Sequence, residues 1–223
     1  ALLAAAQSGE VDAALVRELS TKRQAEASGL KVATYTTNGV ESLTLRNTRG
    51  QLGDPRVRQA LAHAVDREGV GNGFFEGDCI PSDRLFPEGS PLYAPGATVY
   101  PYDPARTAEL LQQAGVTGLT LDIYTNGTAA GVELAEILQY QLGEAGVRAT
   151  VVQRTGPESQ TAFADGEADS RQQVPVMPPH PVQALDLWFM PEGKWKLAGP
   201  ELESSGLGAL RQQLSDPSLS EDR

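Results

Sequence analysis

Few side chains in this sequence could carry covalent or acid–base chemistry. There are two histidines, His63 and His180, and one cysteine, Cys79. A Ser–His–acid triad needs its serine on a sharp strand-to-helix turn of the form G-x-S-x-G, which the sequence does not contain. His63 falls in a helical stretch, off the apolar stripe, and reads as a surface or partly bonded histidine. No two carboxylates stand apart as an acid–base couple. Asp165, Glu167 and Asp169 alternate like the first half of a calcium loop. The intervening glycine is at the wrong offset and the closing glutamate is missing, so the stretch reads as a solvated turn. Gly71, Gly73 and Gly77 follow no strand and have the wrong spacing for a phosphate cradle. Cys79, being alone, cannot form an intramolecular disulfide and reads as a small buried apolar residue. The expectation is noncovalent chemistry: no catalytic residues, no metal site and no cofactor.

Composition narrows the noncovalent options. The chain has 223 residues, 40% hydrophobic and 21% charged, so it can bury a core of ordinary size. A net charge of −11 argues against nucleic acid, which needs clustered Lys and Arg. No stretch approaches the ~18 apolar residues of a membrane span. The opening ALLAAAQSGEVD lacks a basic leader, so it reads as lying inside a longer protein rather than as a secretion signal.

The elements that would position a site follow from caps and periodicity. Asp54-Pro55 opens a helix: the carboxylate can cap free N–H groups, and proline at the first position loses nothing. Val57, Ala60, Leu61, Ala64 and Val65 then form one apolar face. Asp66 caps a second turn at a changed angle. Asp103-Pro104 repeats the opening, with a helix to about Ala114 burying Ala108, Leu111 and Ala114 and stopped by Gly115. Leu119–Tyr124 reads as a strand, Thr128–Ala145 as the longest helix (stripe Val132, Ala135, Leu138, Leu142), and Val147–Gln153 as the next strand. That is a βαβ unit. Further on, Pro157–Ala164 reads as a short helix, Ala168–Met177 as a strand, Val182–Phe189 as a helix, Pro191–Pro200 as loop and Ser204–Leu214 as a closing helix. Upstream, residues 1–8 and Glu18–Ser28 read as helices. Lys31–Thr37 and Glu41–Arg46 read as a hairpin about Asn38-Gly39. Residues 80–103 are proline-rich and read as an ordered loop anchored by Leu85, Phe86, Leu92, Tyr93 and Tyr100.

Three blocks carry a resemblance. Asp54–Glu68 (DPRVRQALAHAVDRE), Tyr102–Gly115 (YDPARTAELLQQAG) and the strand–helix–strand from Leu119 to Val152 resemble, in order, the extracellular solute-binding proteins of family five. These are the peptide-, nickel- and oligosaccharide-binding components of ABC importers. The resemblance runs from about Gly9 to the last residue; Gly9–Val16 is similar to a strand entry of the family, and Asn47 matches a place near the crossing between lobes. It implies an α/β, periplasmic-binding-protein-like II fold, one lobe with a mixed sheet flanked by helices. Residues 1–46 would be a remnant of a first lobe with the crossing strands, and 47–223 the second lobe.

The resemblance also implies where a ligand would lie. In peptide-binding relatives the strand matching Ser170–His180 lines the cleft, and an Asp at its end pairs with the ligand's amino group. A buried cation needs such a partner. Here Pro178 falls at that place. Gln172, Val174, Val176 and Met177 would instead offer an apolar wall with amide contacts, with His180 as a further candidate on the same stretch and Tyr124 and Asn126 from the neighbouring strand end. Trp188 and Trp195 could stack on sugars, with Trp188 the more suited to buried packing.

The expected partners are a small solute, peptide or sugar-like, and an ABC permease in the full-length protein. The chain would be monomeric and extracytoplasmic, touching a membrane only through a lipid anchor. Two alternatives stay open: a non-transporting cell-envelope lipoprotein of the same fold (the LpqW type, regulating glycolipid and lipoarabinomannan assembly), and the ligand-sensing domain of a transcription regulator.

Overall fold

The computed structural model describes residues 2–16, 19–35, 39–86, 88, 93–175, 178, 180–190 and 206–216. In chain order these form α1 (Leu2–Ser8), α2 (Leu19–Ala27), β1 (Ser42–Leu45), a 3-10 turn (Gly50–Gly53), α3 (Pro55–His63), α4 (Arg67–Gly73), α5 (Pro104–Gln113), β2 (Thr120–Tyr124), α6 (Ala129–Glu144), β3 (Arg148–Val152), α7 (Gly156–Ala164), β4 (Ser170–Gln173), α8 (Pro181–Trp188) and α9 (Leu207–Leu214).

One four-stranded mixed sheet has the order β1-β4-β2-β3. β2 runs parallel to both β3 and β4, while β1 is antiparallel to β4. The chain leaves β2 for β3 through α6, then returns past β2 to β4 through α7. Register assigns the faces. Leu121 lies level with Ala149, Ile123 with Val151 and Ser170, and Leu43 with Gln172. This face carries the core, where Leu121 and Ile123 pack with Val57 and Leu61 of α3, Leu110 of α5 and Leu142 of α6.

The helices begin where the caps require. Asp54 Oδ1 accepts from Arg56 N at 2.8 Å, Asp66 Oδ1 from Gly69 N at 2.9 Å, and Asp103 Oδ1 from Arg106 N at 2.9 Å. Gly115 and Gly146 end α5 and α6 at φ of 67° and 80°, a conformation that costs a side-chain-bearing residue about 1–2 kcal/mol. Gln141 of α6 locks the α3–α4 junction, its Oε1 accepting from Asp66 N at 3.1 Å. His63 spans to the long loop, its Nδ1 lying 2.7 Å from Pro101 O. In that loop Arg84 lies over the Tyr93 ring at 5.3 Å, and Asp83 Oδ2 accepts from Tyr100 N at 2.7 Å. Leu85 and Phe86 are half-buried, and Leu92 lies outside the described residues.

Several expectations are corrected. Residues 31–35 form no strand, and Asn38 lies outside the described residues. The partner of β1 is β4, far along the chain, not a local hairpin arm. Residues 9–16 also form no strand. α5 buries Thr107, Leu110 and Leu111 rather than Ala108, which is exposed. Thr107 can be buried because its hydroxyl donates to the carbonyls of Ala60 and Asp103, at 3.2 and 3.1 Å. The α6 stripe likewise centres on Gly131, Leu134, Ala135, Leu138 and Leu142, with Val132 half-buried. Of the strand expected over 168–177, the described residues form Ser170–Gln173 alone. Pro175 has no N–H to extend a ladder, although its carbonyl still accepts from Val40 N at 3.2 Å. Cys79 is half-exposed rather than buried.

Asp169 is held by Arg49, Nε to Oδ1 at 2.9 Å, so the acidic turn after α7 is tied to the residues following β1. Trp188 is 2% exposed, as expected for packing, whereas Trp195 and the loop at 191–200 lie outside the described residues.

Candidate functional site

Parallel strands place all their carboxyl ends at one edge. β2 sits between β3 and β4, and the connections leaving β2 and β3 run in opposite directions across it. Such a reversal opens a crevice beyond the strand ends. The edge gathers Tyr124–Thr128 after β2, Gln153–Thr155 after β3 and Val174 after β4. Because β1 is antiparallel, Glu41, just before its first residue, lies at the same edge.

Two helices also begin there, both capped from within. Thr128 Oγ1 accepts from Gly131 N at 3.1 Å, and Asn126 Oδ1 accepts from Thr128 N and Oγ1 at 3.1 and 2.8 Å. Thr155 and Glu158 make a capping box on α7. The bonds from the Thr155 backbone and hydroxyl hold the Glu158 carboxyl below the usual range. Thr125 is fully buried, and its N–H continues the ladder to Val152 O at 3.0 Å.

Register separates the residues expected to share a wall. Tyr124 is level with Arg171 and Val152 on one face of the sheet. Gln172 is level with Leu43 on the other, and is 3% exposed. Asn126 is exposed in the turn, and Val174 is 49% exposed past the end of β4. His180 is exposed and caps α8, its Nδ1 accepting from Val182 N at 3.3 Å. Val176 and Met177 lie outside the described residues.

Three residues at this edge were not anticipated. On Tyr124's face, Arg171 Nη1 donates to Gln173 Oε1 at 2.5 Å, and Gln173 Nε2 donates to Thr44 Oγ1 at 2.6 Å. Partial burial lowers the Arg171 pKa. On the opposite face Gln172 Nε2 donates to Glu41 Oε1 at 2.7 Å. The Glu41 residue is surface-exposed, yet desolvation of its carboxyl outweighs that bond and raises its pKa above 4.5. Alternation within SRQQ could have revealed Arg171 and Gln173, but Glu41 is visible only through the β1–β4 register.

A raised carboxyl pKa has a stability consequence. Below about pH 4, near the unfolded value, Glu41 is protonated in both states and costs nothing. As pH rises through the folded pKa, ionisation becomes a penalty on the folded state. The Glu41→Gln variant should therefore unfold at higher denaturant than the parent at about pH 7 and lose that advantage at about pH 3.5. Urea titrations at the two pH values check this; an advantage independent of pH would contradict it.

The family described as "Bacterial extracellular solute-binding proteins, family 5 Middle" matches residues 1–194. The chain belongs to this family. Members are defined by binding solutes, not by catalysis. Among curated relatives, the glutathione-binding protein GsiB of Salmonella typhimurium is 29% identical over 111 residues, 49% of this chain and 22% of that protein. The Pseudomonas aeruginosa protein named "Probable di/tripeptide-binding protein 5" is 32% identical over 114 residues, 49% of this chain and 21% of that one. Among solved structures, a nickel ABC transporter protein from Bacillus halodurans superposes with a TM-score of 0.74 at 22% identity, covering 96% of this chain and 48% of that one. The substrate-binding protein CtaP of Listeria monocytogenes gives 0.75 at 19% identity, covering 95% and 47%. These two likenesses establish the fold, a periplasmic-binding-protein-like α/β architecture. The matched stretch is about a fifth of the length of these curated relatives, and the chain covers under half of each solved one.

Proposed function

We propose that this chain forms one wall of the ligand cleft in a solute-binding component of an ABC importer, and that its solute is a short peptide. The observation that carries this is the sheet edge itself: three parallel carboxyl ends and the start of β1 lie together at the end of the sheet that holds Glu41, Tyr124, Gln172 and Val174, with Tyr124 and Gln172 on opposite faces. The names of the curated relatives, binders of glutathione and of di- and tripeptides, favour peptide over metal or sugar. In this reading residues 47–223 are the second lobe, residues 1–46 supply the crossing segment, and the facing wall belongs to a first lobe. His180 borders the same cleft. The full-length protein is monomeric, works outside the cytoplasm, is held at the membrane by a lipid anchor and delivers its solute to a permease.

Closure of two lobes over a ligand supplies affinity that one wall lacks. Calorimetry of this chain with glutathione and with Met-Leu should show no binding as tight as about 1 μM, a value worth ~8 kcal/mol. Submicromolar binding would mean that the chain encloses its ligand unaided and would overturn the one-wall reading. The envelope-lipoprotein alternative draws on two features, the lack of an acid at Pro178 and the proline-rich strand. Glu41 supplies an acid to the same edge from β1, which favours the transport reading.

A further inference from the structure

We propose that Lys22 and Arg23 of α2, paired with Asp78 and Glu76 of the turn after α4, form a salt-sensitive latch that holds residues 2–35 against the second lobe as a separately opening arm. The inference rests on the division of the chain into crossing segment and lobe proposed above. Burial sets the arm apart. Among residues 2–16 and 20–35 only Ala25 is buried, and the first described residue that packs against the core is Leu43. A segment with little apolar burial opens readily unless something else retains it. The arm coheres internally, since Gln7 Nε2 of α1 donates to Ser28 Oγ, just past α2, at 2.9 Å. What it turns toward the lobe is charge. Lys22 Nζ donates to Asp78 Oδ2, and Arg23 pairs with Glu76. The two cations are consecutive on α2 and their acids flank Gly77, so the contact fixes the rotation of the helix as well as its place. The receiving turn is itself ordered on the lobe: Gly77 N donates to Gly71 O at 2.9 Å and Asp78 N to Phe75 O at 2.8 Å. Glu76 stands at φ of 53°, the only positive φ outside glycine among the described residues. Such a backbone persists where its surroundings hold it, and the pair with Arg23 is one such hold. All four side chains stay partly exposed, from 23% to 55%, so water and salt reach both pairs. Ionic strength therefore weakens the latch without touching the apolar core. The arm runs on toward β1, whose entry carries Glu41 at the cleft edge, so the latch governs how firmly the crossing segment is seated there.

Hydrogen exchange of the whole chain, read by mass spectrometry at ~0.05 M and ~1 M NaCl, tests this, because the Debye length shrinks to about 3 Å at the higher salt. Peptides from α1 and α2 should then exchange about fivefold faster, the scale set by two exposed ion pairs, while peptides from β2 and α6 keep their rates. Lys22→Asp should reproduce the acceleration at low salt, and Lys22→Asp combined with Asp78→Lys should restore slow exchange. If exchange of the arm is independent of salt, or the swapped pair gives no rescue, the latch is wrong; the cleft wall stands, since no ligand enters the test. If α1, α2, β2 and α6 all accelerate together, the latch and the division at residue 46 fail together.

Discussion

Replacing Gly127 with alanine is expected to destabilise the fold by about 3 kcal/mol. Gly127 has φ of 71°, and a Cβ there would lie 2.5 Å from the backbone carbonyl oxygen of Arg154. The first cost is conformational, about 1–2 kcal/mol for a side chain in the left-handed region. The second is steric, a further ~1–2 kcal/mol, because the obstructing atom is backbone and cannot rotate away. The turn after β2 and the turn after β3 meet here, so relief of the clash must part the two strand ends. Gly146→Ala supplies the comparison: φ is 80°, but nothing lies within 4 Å of the added carbon. That variant should lose only the conformational part, about 1 kcal/mol. Urea midpoints for the two would separate the terms, and equal losses would show that the contact with Arg154 is not rigid.

Leu121→Ala should cost about 3 kcal/mol, the middle of the range for a buried leucine replaced by alanine. Leu121 is fully buried in the one core that joins β2 to α3, α5 and α6. Its neighbours on both sides belong to regular elements, so the space left behind cannot collapse fully. Chemical denaturation measures the loss. A change below about 1 kcal/mol would mean that α6 can settle onto the sheet and that the core is less tightly specified than its burial implies.

Local rules made much of this architecture readable before any coordinates. Asp54-Pro55, Asp103-Pro104, Gly115 and Gly146 act within one helical turn, so their consequences are written where they stand. The βαβ unit from β2 to β3 was readable for the same reason: each element has its own period. The misplaced features depend on partners far away. Asn38-Gly39 is a strong local turn signal, but the strand that follows it pairs with β4, more than a hundred residues on, and no local pattern encodes that choice. The burial of Thr107 likewise depends on a distant partner, since its hydroxyl donates to the carbonyls of Ala60 and Asp103.

The candidate site shows the same division. That β4 would border the crevice followed from the resemblance. Which of its side chains face which way required its register with β1 and β2, and that register sends Tyr124 and Gln172 to opposite faces of the sheet. Nothing in the immediate sequence of Glu41 sets it apart from any other surface acid. Its significance comes from the antiparallel pairing that sets it against Gln172.

The most direct test of the cleft wall is photo-cross-linking of this chain with a tripeptide carrying a benzoylphenylalanine, followed by mass-spectrometric mapping of the adducts. Adducts are predicted at Tyr124–Thr128, at Arg154–Thr155 and around Gln172–Val174, and excess unlabelled dipeptide should suppress them. Adducts concentrated at the opposite edge, around Val116–Thr120 and Gly166–Asp169, would contradict the account.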